Sequence, residues 1–217
     1  MRAGGLSVYD PRVRTTLVFL CLGVAQAWAC GDDGGPVCDC AEAGCYAAAC
    51  TKAVFVTSTA VPANFGGVAQ ADKLCQDAAV GAGLAGTFQA WLSDSTTSPF
   101  KRAGQSTVPY QLVSGVRIAE DWDQLVASGP AAPIDVDERG QKVADEAMSA
   151  VVWTNTGRDG RAESYSMASN FCADWTNNAP TDQAVVGWMT KRMAADDWTF
   201  AVVQPCTGSA RLYCFQQ

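Results

Sequence analysis

GGVAQADKLCQDAAVGAGLAGTFQAWLSDS, residues 66–95, contains a glycine pair, one amphipathic helix, a glycine stop and a strand. Val68, Ala71, Cys75, Ala78 and Ala82 recur at steps of three and four residues, which places them on one helical face. Gly81 and Gly83 end the helix, because glycine accepts the left-handed backbone of a C-terminal cap. After Gly86 the period falls to two. Phe88, Ala90 and Leu92 then share one face of a strand, and Thr87, Gln89 and Trp91 the other. Cys75 falls on the buried helical face and needs a partner, for which the later chain supplies candidates.

The 217 residues allow one good-sized domain with a leader and a linker. The net charge is −7; from Lys52 onward 12 Lys and Arg stand against 17 Asp and Glu, a balance of −5. An acidic surface disfavours nucleic acid and anionic membrane, both of which need a basic face. Ten cysteines and no histidine point to an oxidising compartment and remove the commonest metal ligand and general base together.

Arg2, Arg12 and Arg14 precede an apolar run at 15–29, TTLVFLCLGVAQAWA, which is too short to span a bilayer and reads as a secretory signal over residues 1–29. Ala27-Trp28-Ala29 fits ordinary signal cleavage. Cys30, directly after it and followed by GDDGG, resembles the lipidated first residue of a bacterial lipoprotein. The expected location is thus the cell envelope, held by lipid, with Gly31 in the second position favouring the outer membrane; secretion in soluble form is the alternative. Residues 30–51 form an acidic linker carrying Cys38, Cys40, Cys45 and Cys50. Their spacing lacks the paired C-x2-C knuckles of zinc sites, so two disulfides are expected, in any of three connectivities.

The domain is expected over 52–217. AVFVTST (53–59) is a first strand, and Ser93 to Ser106 a polar loop. Tyr110 to Val113 and Val116 to Ile118 flank Ser114-Gly115 as a hairpin. A short helix follows at 119–127, with Trp122 and Leu125 on one face, then a strand near 133–136 and an exposed DERGQK turn. Val151 to Thr154, Phe200 to Val203 and Arg211 to Phe215 complete the strands, and Asp159-Gly160 marks a tight turn. Strands with two or three short helices make the class α+β.

Residues 66–95, VVWTNTGRDGRAESYSMASNFCADW (151–175) and the closing pair Cys206 and Cys214 together resemble the endostatin domain of collagens, and more closely the bacterial endostatin-like lipoproteins, a family largely of unknown function. The resemblance covers about residues 53–217. It implies an endostatin-like variant of the C-type-lectin-like fold, a mixed sheet, and nested disulfides Cys75–Cys214 and Cys172–Cys206. The family's histidine zinc site has no counterpart here, nor has its arginine-rich heparin face. Neither Glu-Pro-Asn nor Trp-Asn-Asp, the calcium-dependent sugar motifs of C-type lectins, occurs. No metal or cofactor is expected.

A nucleophile with a histidine base is excluded, and Gly104-Gln105-Ser106 lacks the last glycine of a nucleophile elbow. Asp145/Glu146 and Asp196/Asp197 are the paired acids on which a glycoside hydrolase would rest. The leading expectation is a non-catalytic, adhesin-like module for an extracellular protein or polysaccharide, touching membrane only through its lipid and binding no nucleic acid. A structural envelope protein is the alternative, and a carboxylate-based hydrolase a further one. Candidate ligand residues are Arg158, Asp159 and Arg161 on a tight turn, with Trp175 and Asn177 beyond Cys172.

Overall fold

A computed structural model of the protein describes residues 51–143, 150–163, 171–190 and 197–217. The signal, Cys30, the linker cysteines Cys38, Cys40, Cys45 and Cys50, the pair Asp145/Glu146, and Asp196 lie outside the described residues. The strands are β1 (Lys52–Val56), β2 (Val61–Pro62), β3 (Phe88–Ala90), β4 (Tyr110–Leu112) and β5 (Arg117–Ala119). They continue as β6 (Val151–Trp153), β7 (Gln183–Trp188), β8 (Val202–Pro205), β9 (Ser209–Ala210) and β10 (Tyr213–Gln216). Three right-handed helices join them, α1 (Val68–Gly81), α2 (Pro99–Arg102) and α3 (Trp122–Ser128).

The main sheet has five strands in the order β3-β10-β1-β4-β5; β1 and β4 run parallel and the remaining neighbours antiparallel. A three-stranded sheet β6-β7-β8 and a two-stranded ribbon β2-β9 complete a mixed α+β domain. Because strand side chains alternate, β1 sends Phe55 to one face of the main sheet and Val54 and Val56 to the other. The first face meets α1 through Val68, Ala71, Cys75 and Ala79, together with Trp153 and Trp175. The second is filled by aromatics, Trp91 lying 5.4 Å from Trp122, 4.9 Å from Trp198 and 5.3 Å from Phe215. Tyr213 is fully buried there, and burial, then the negative charge of Asp135, raises its hydroxyl well above the ordinary tyrosine range.

The outer edge of β3 is closed by side chains. Phe88 N donates to Gln76 Oε1 and Ala90 N to Asp72 Oδ1, each at 2.8 Å. Arg102 Nη2 donates to the carbonyls of Ala90 and Leu92, while Nη1 meets both oxygens of Asp72 at 2.8 Å. A sheet edge so occupied offers no template for another strand.

Several elements differ from expectation. Ala79 rather than Ala78 is fully buried, since the face of α1 turns by one residue as it follows β3. Strand β7 occupies a stretch to which the sequence reading assigns no element; Ala184, Val185 and Val186 are fully buried between β6 and β8. Ser98-Pro99 opens the four-residue α2, proline suiting a first helical position. The helix expected at 119–127 starts later, where the Asp121 carboxylate accepts from Gln124 N at 2.7 Å. In the DERGQK turn Asp137 and Glu138 are buried rather than exposed: Glu138 accepts from Ser58 N and Oγ, and Asp137 Oδ1 from Arg139 N and Gln141 N.

Candidate functional site

The strand β6 runs into the hairpin that carries Arg158, Asp159 and Arg161. Its base is tied down by buried polar groups. Asn155 adopts φ 44°, its Oδ1 accepts from Val185 N at 2.6 Å, and its Nδ2 is buried without a hydrogen bond. Thr156 Oγ1 lies 2.8 Å from Ser93 Oγ and donates to Thr154 O, and Thr199 Oγ1 donates to Thr156 O at 2.9 Å. Trp91 Nε1 joins this network by donating to Thr199 Oγ1.

Above that base, Thr156 pairs with Ala162, Gly157 N donates to Arg161 O at 2.9 Å, and Gly160 N to Gly157 O at 3.0 Å. Gly160 has φ 76°, and a Cβ there would come within 2.9 Å of the Trp122 ring; both facts require glycine. Gly160 O accepts from Phe100 N at 2.8 Å, which seats the loop on α2. The Arg161 guanidinium stacks over the Phe100 ring at 3.5 Å from its centroid, and its Nε lies 3.2 Å from Asp159 Oδ2. Asp159 Oδ1 also accepts from Arg161 N.

Arg158 stands apart. Among the described residues every other basic side chain has an ion pair or hydrogen bond, Lys52, Lys101 and Arg211 using carbonyls. Arg158 has neither, although it is half-buried. Among the described residues it is a cation without a counter-charge, on a loop whose backbone is held by hydrogen bonds.

The segment Phe171–Trp175 is left-handed. All five residues have φ between 50° and 66°, and none is glycine. Each such residue costs about 1–2 kcal/mol, so an isolated run would not persist. It is held from outside. Cys172 is bonded to Cys206, Asp174 accepts from Ser95 N at 2.9 Å and Oγ at 2.6 Å, and Trp175 O accepts from the backbone of Gly66 and Gly67. The other bridge joins Cys75 in α1 to Cys214 in β10. These are the two pairings that the resemblance implies.

Two of the five candidate ligand residues are placed differently from expectation. Trp175 is fully buried; it stacks on Phe65 at 5.3 Å, meets Trp153 edge-on at 5.7 Å and donates from Nε1 to Ser93 O. It is a core residue with no surface for a ligand. Asn177 is half-buried and shapes a turn, donating to Asp182 Oδ2 and accepting from Ala179 N. Arg161 and Asp159 are exposed but mutually engaged, which leaves Arg158. Spacing alone does not single it out, because four charges in nine residues look equally solvated until their pairing is seen.

A crevice lined by Trp91, Pro99, Tyr110, Trp122 and Phe215 has a volume of about 10 Å³, little more than one water requires. Among the described residues no group of three acids or thiols is placed to hold a metal, and no helix is long and apolar enough to cross a membrane. What these features define is a mixed α+β domain, bridged twice by disulfides, that among its described residues displays one uncompensated arginine, on a hairpin tied down by hydrogen bonds. No family model and no curated protein matches the chain.

Proposed function

We propose that the protein is an exported, lipid-anchored envelope protein whose domain, an endostatin-like variant of the C-type-lectin-like fold, binds an extracellular protein or polysaccharide without catalysis. Two disulfides within one domain suit an oxidising compartment. A mixed sheet with short helices accords with such a fold. The observation that carries a binding role is Arg158: a half-buried residue, a guanidinium with no partner among the described residues, and a loop whose backbone is tied by hydrogen bonds before any ligand arrives.

The test is a pull-down with the soluble domain on envelope extract and a polysaccharide panel, followed by affinity measurements on Arg158→Ala and Asn177→Ala. Lys73→Ala is the control, because Lys142 pairs with the buried Asp135 and is not neutral. Arg158→Ala is expected to lower affinity at least ten-fold, about 1.4 kcal/mol. Unchanged affinity in a folded variant sinks the assignment. Anchoring is tested separately: a Cys30→Ser protein that still partitions into detergent like the parent rules out the lipid.

A further inference from the structure

The two disulfides join very different kinds of backbone. Cys75 and Cys214 lie inside a regular helix and a regular strand. Cys172 lies inside the left-handed run, and Cys206 follows the end of β8. A helix and a strand keep their conformations without a covalent tie. Five non-glycine residues in the left-handed region do not, so cutting Cys172–Cys206 removes a restraint that opposes a standing conformational preference.

We propose that Cys172–Cys206 is a redox-sensitive latch. Its reduction lets the Phe171–Trp175 turn relax, while Cys75–Cys214 keeps the remainder folded. The reductant is a dithiol. Its thiolate attacks one protein sulfur, the protein S–S bond breaks as a mixed disulfide forms, and the other cysteine leaves as a thiolate. The reductant's second thiolate then closes onto its own mixed-disulfide sulfur, releasing the first cysteine. Two electrons pass to the protein, leaving two cysteine thiols and an oxidised, cyclic reductant.

Relaxation has a defined reach. Asp174 would withdraw from Ser95, loosening the turn at 94–97, which then keeps the bonds to Asp94 Oδ1, the Asp94 N to Thr97 O bond and the Lys101 Nζ to Thr96 O bond. The backbone of Thr176 and Asn177, which donates to Cys172 O, would loosen with it. The first of these loops adjoins the base of the Arg158 hairpin through Ser93 and Thr156. Both cysteines are fully buried, so attack proceeds from a locally opened turn; a turn already under strain opens most readily.

The experiment uses the full chain and a dithiothreitol titration. Differential alkylation with peptide mass spectrometry follows each cysteine, and hydrogen exchange follows the backbone. Cys172 and Cys206 should become alkylated at roughly one-tenth the dithiol concentration that Cys75 and Cys214 require. Exchange should rise at that step in 93–97 and 171–182 and stay unchanged in α1 and β10. Simultaneous opening of both bridges, or earlier opening of Cys75–Cys214, overturns the proposal. An Ala173→Gly variant tests the cause, because glycine accepts positive φ freely. With strain as the cause it needs roughly five-fold more dithiol for Cys172–Cys206 than the parent does. If it needs the same concentration, the turn does not drive the latch.

Discussion

The α1/β10 end and the Phe171–Trp175 end each carry a disulfide, yet they are specified in opposite ways. At the first, helix periodicity, strand alternation, burial and side-chain bonds to the edge of β3 all favour the observed backbone, and the bridge adds to an arrangement already preferred. At the second, local preference opposes the observed backbone, and tertiary contacts with one covalent bond override it. A bridge at the first end should chiefly raise global stability. A bridge at the second should chiefly decide local conformation.

Removing each bridge as a pair of serines separates these roles. Cys75→Ser/Cys214→Ser opens a link across 139 residues and should cost about 4–5 kcal/mol in urea unfolding. Cys172→Ser/Cys206→Ser spans 34 residues and should cost less, about 2–3 kcal/mol, because relaxation of the left-handed turn offsets part of the loop entropy. Equal losses, or a larger loss for the shorter link, would break the distinction between the two ends.

The next largest effect tests whether the α1 end is over-determined without its disulfide. Arg102 is 14% exposed and Asp72 27%, and the pair ties α2 to α1 and to the edge of β3. Arg102→Ala leaves Asp72 facing a half-buried edge and two strand carbonyls without their donor. The expected cost is about 2–4 kcal/mol, the lower part of the range for breaking a buried pair because Asp72 keeps some solvent. A loss below 1 kcal/mol would mean that packing alone closes this edge.

The same division governs what was readable from the chain. At the α1 end local pattern and structure agree, so residues 66–95 disclosed a helix, its glycine stop and β3. Strand β7 is not legible locally, because Ala184-Val185-Val186 is a short apolar run with no period, buried by neighbours far away in the chain. The left-handed turn was illegible in principle, since nothing in Phe-Cys-Ala-Asp-Trp favours positive φ. Trp175 shows the limit at the site: a tryptophan beside a polar loop reads the same whether it faces solvent or stacks on Phe65. The Asp159-Gly160 turn was legible because its conformation is local, but the isolation of Arg158 among the described residues depends on where the other basic side chains and the nearby acids sit.

Alkaline titration probes the main-sheet core from another side. Burial raises the pKa of Tyr213, and burial raises that of Tyr110 with a smaller contribution from Asp121. In the unfolded chain tyrosine loses its proton near pH 10, while folded Tyr213 keeps it, so above that pH the native state binds more protons. Stability is therefore fully present below about pH 10 and falls above it, by about 1.4 kcal/mol per pH unit for each retained proton. Tyr213→Phe, measured by urea unfolding between pH 9 and 11, should show a shallower fall than the parent. An identical slope would remove Tyr213 from the account.

The smallest effects divide two arginines on one hairpin. Arg161 stacks on Phe100 and pairs with Asp159, so Arg161→Ala should cost about 0.5–1 kcal/mol, the value of an exposed cation–π contact. Arg158 contacts no counter-charge, and Arg158→Ala should change stability by less than about 0.5 kcal/mol, as surface substitutions away from special features do. In ligand affinity the order should reverse, with Arg158→Ala the more damaging. Unfolding and binding curves on the same two variants therefore place each arginine in scaffold or in recognition. If Arg158→Ala destabilises as much as Arg161→Ala, the Arg158 side chain is part of the packing, and the proposed role in recognition loses its support.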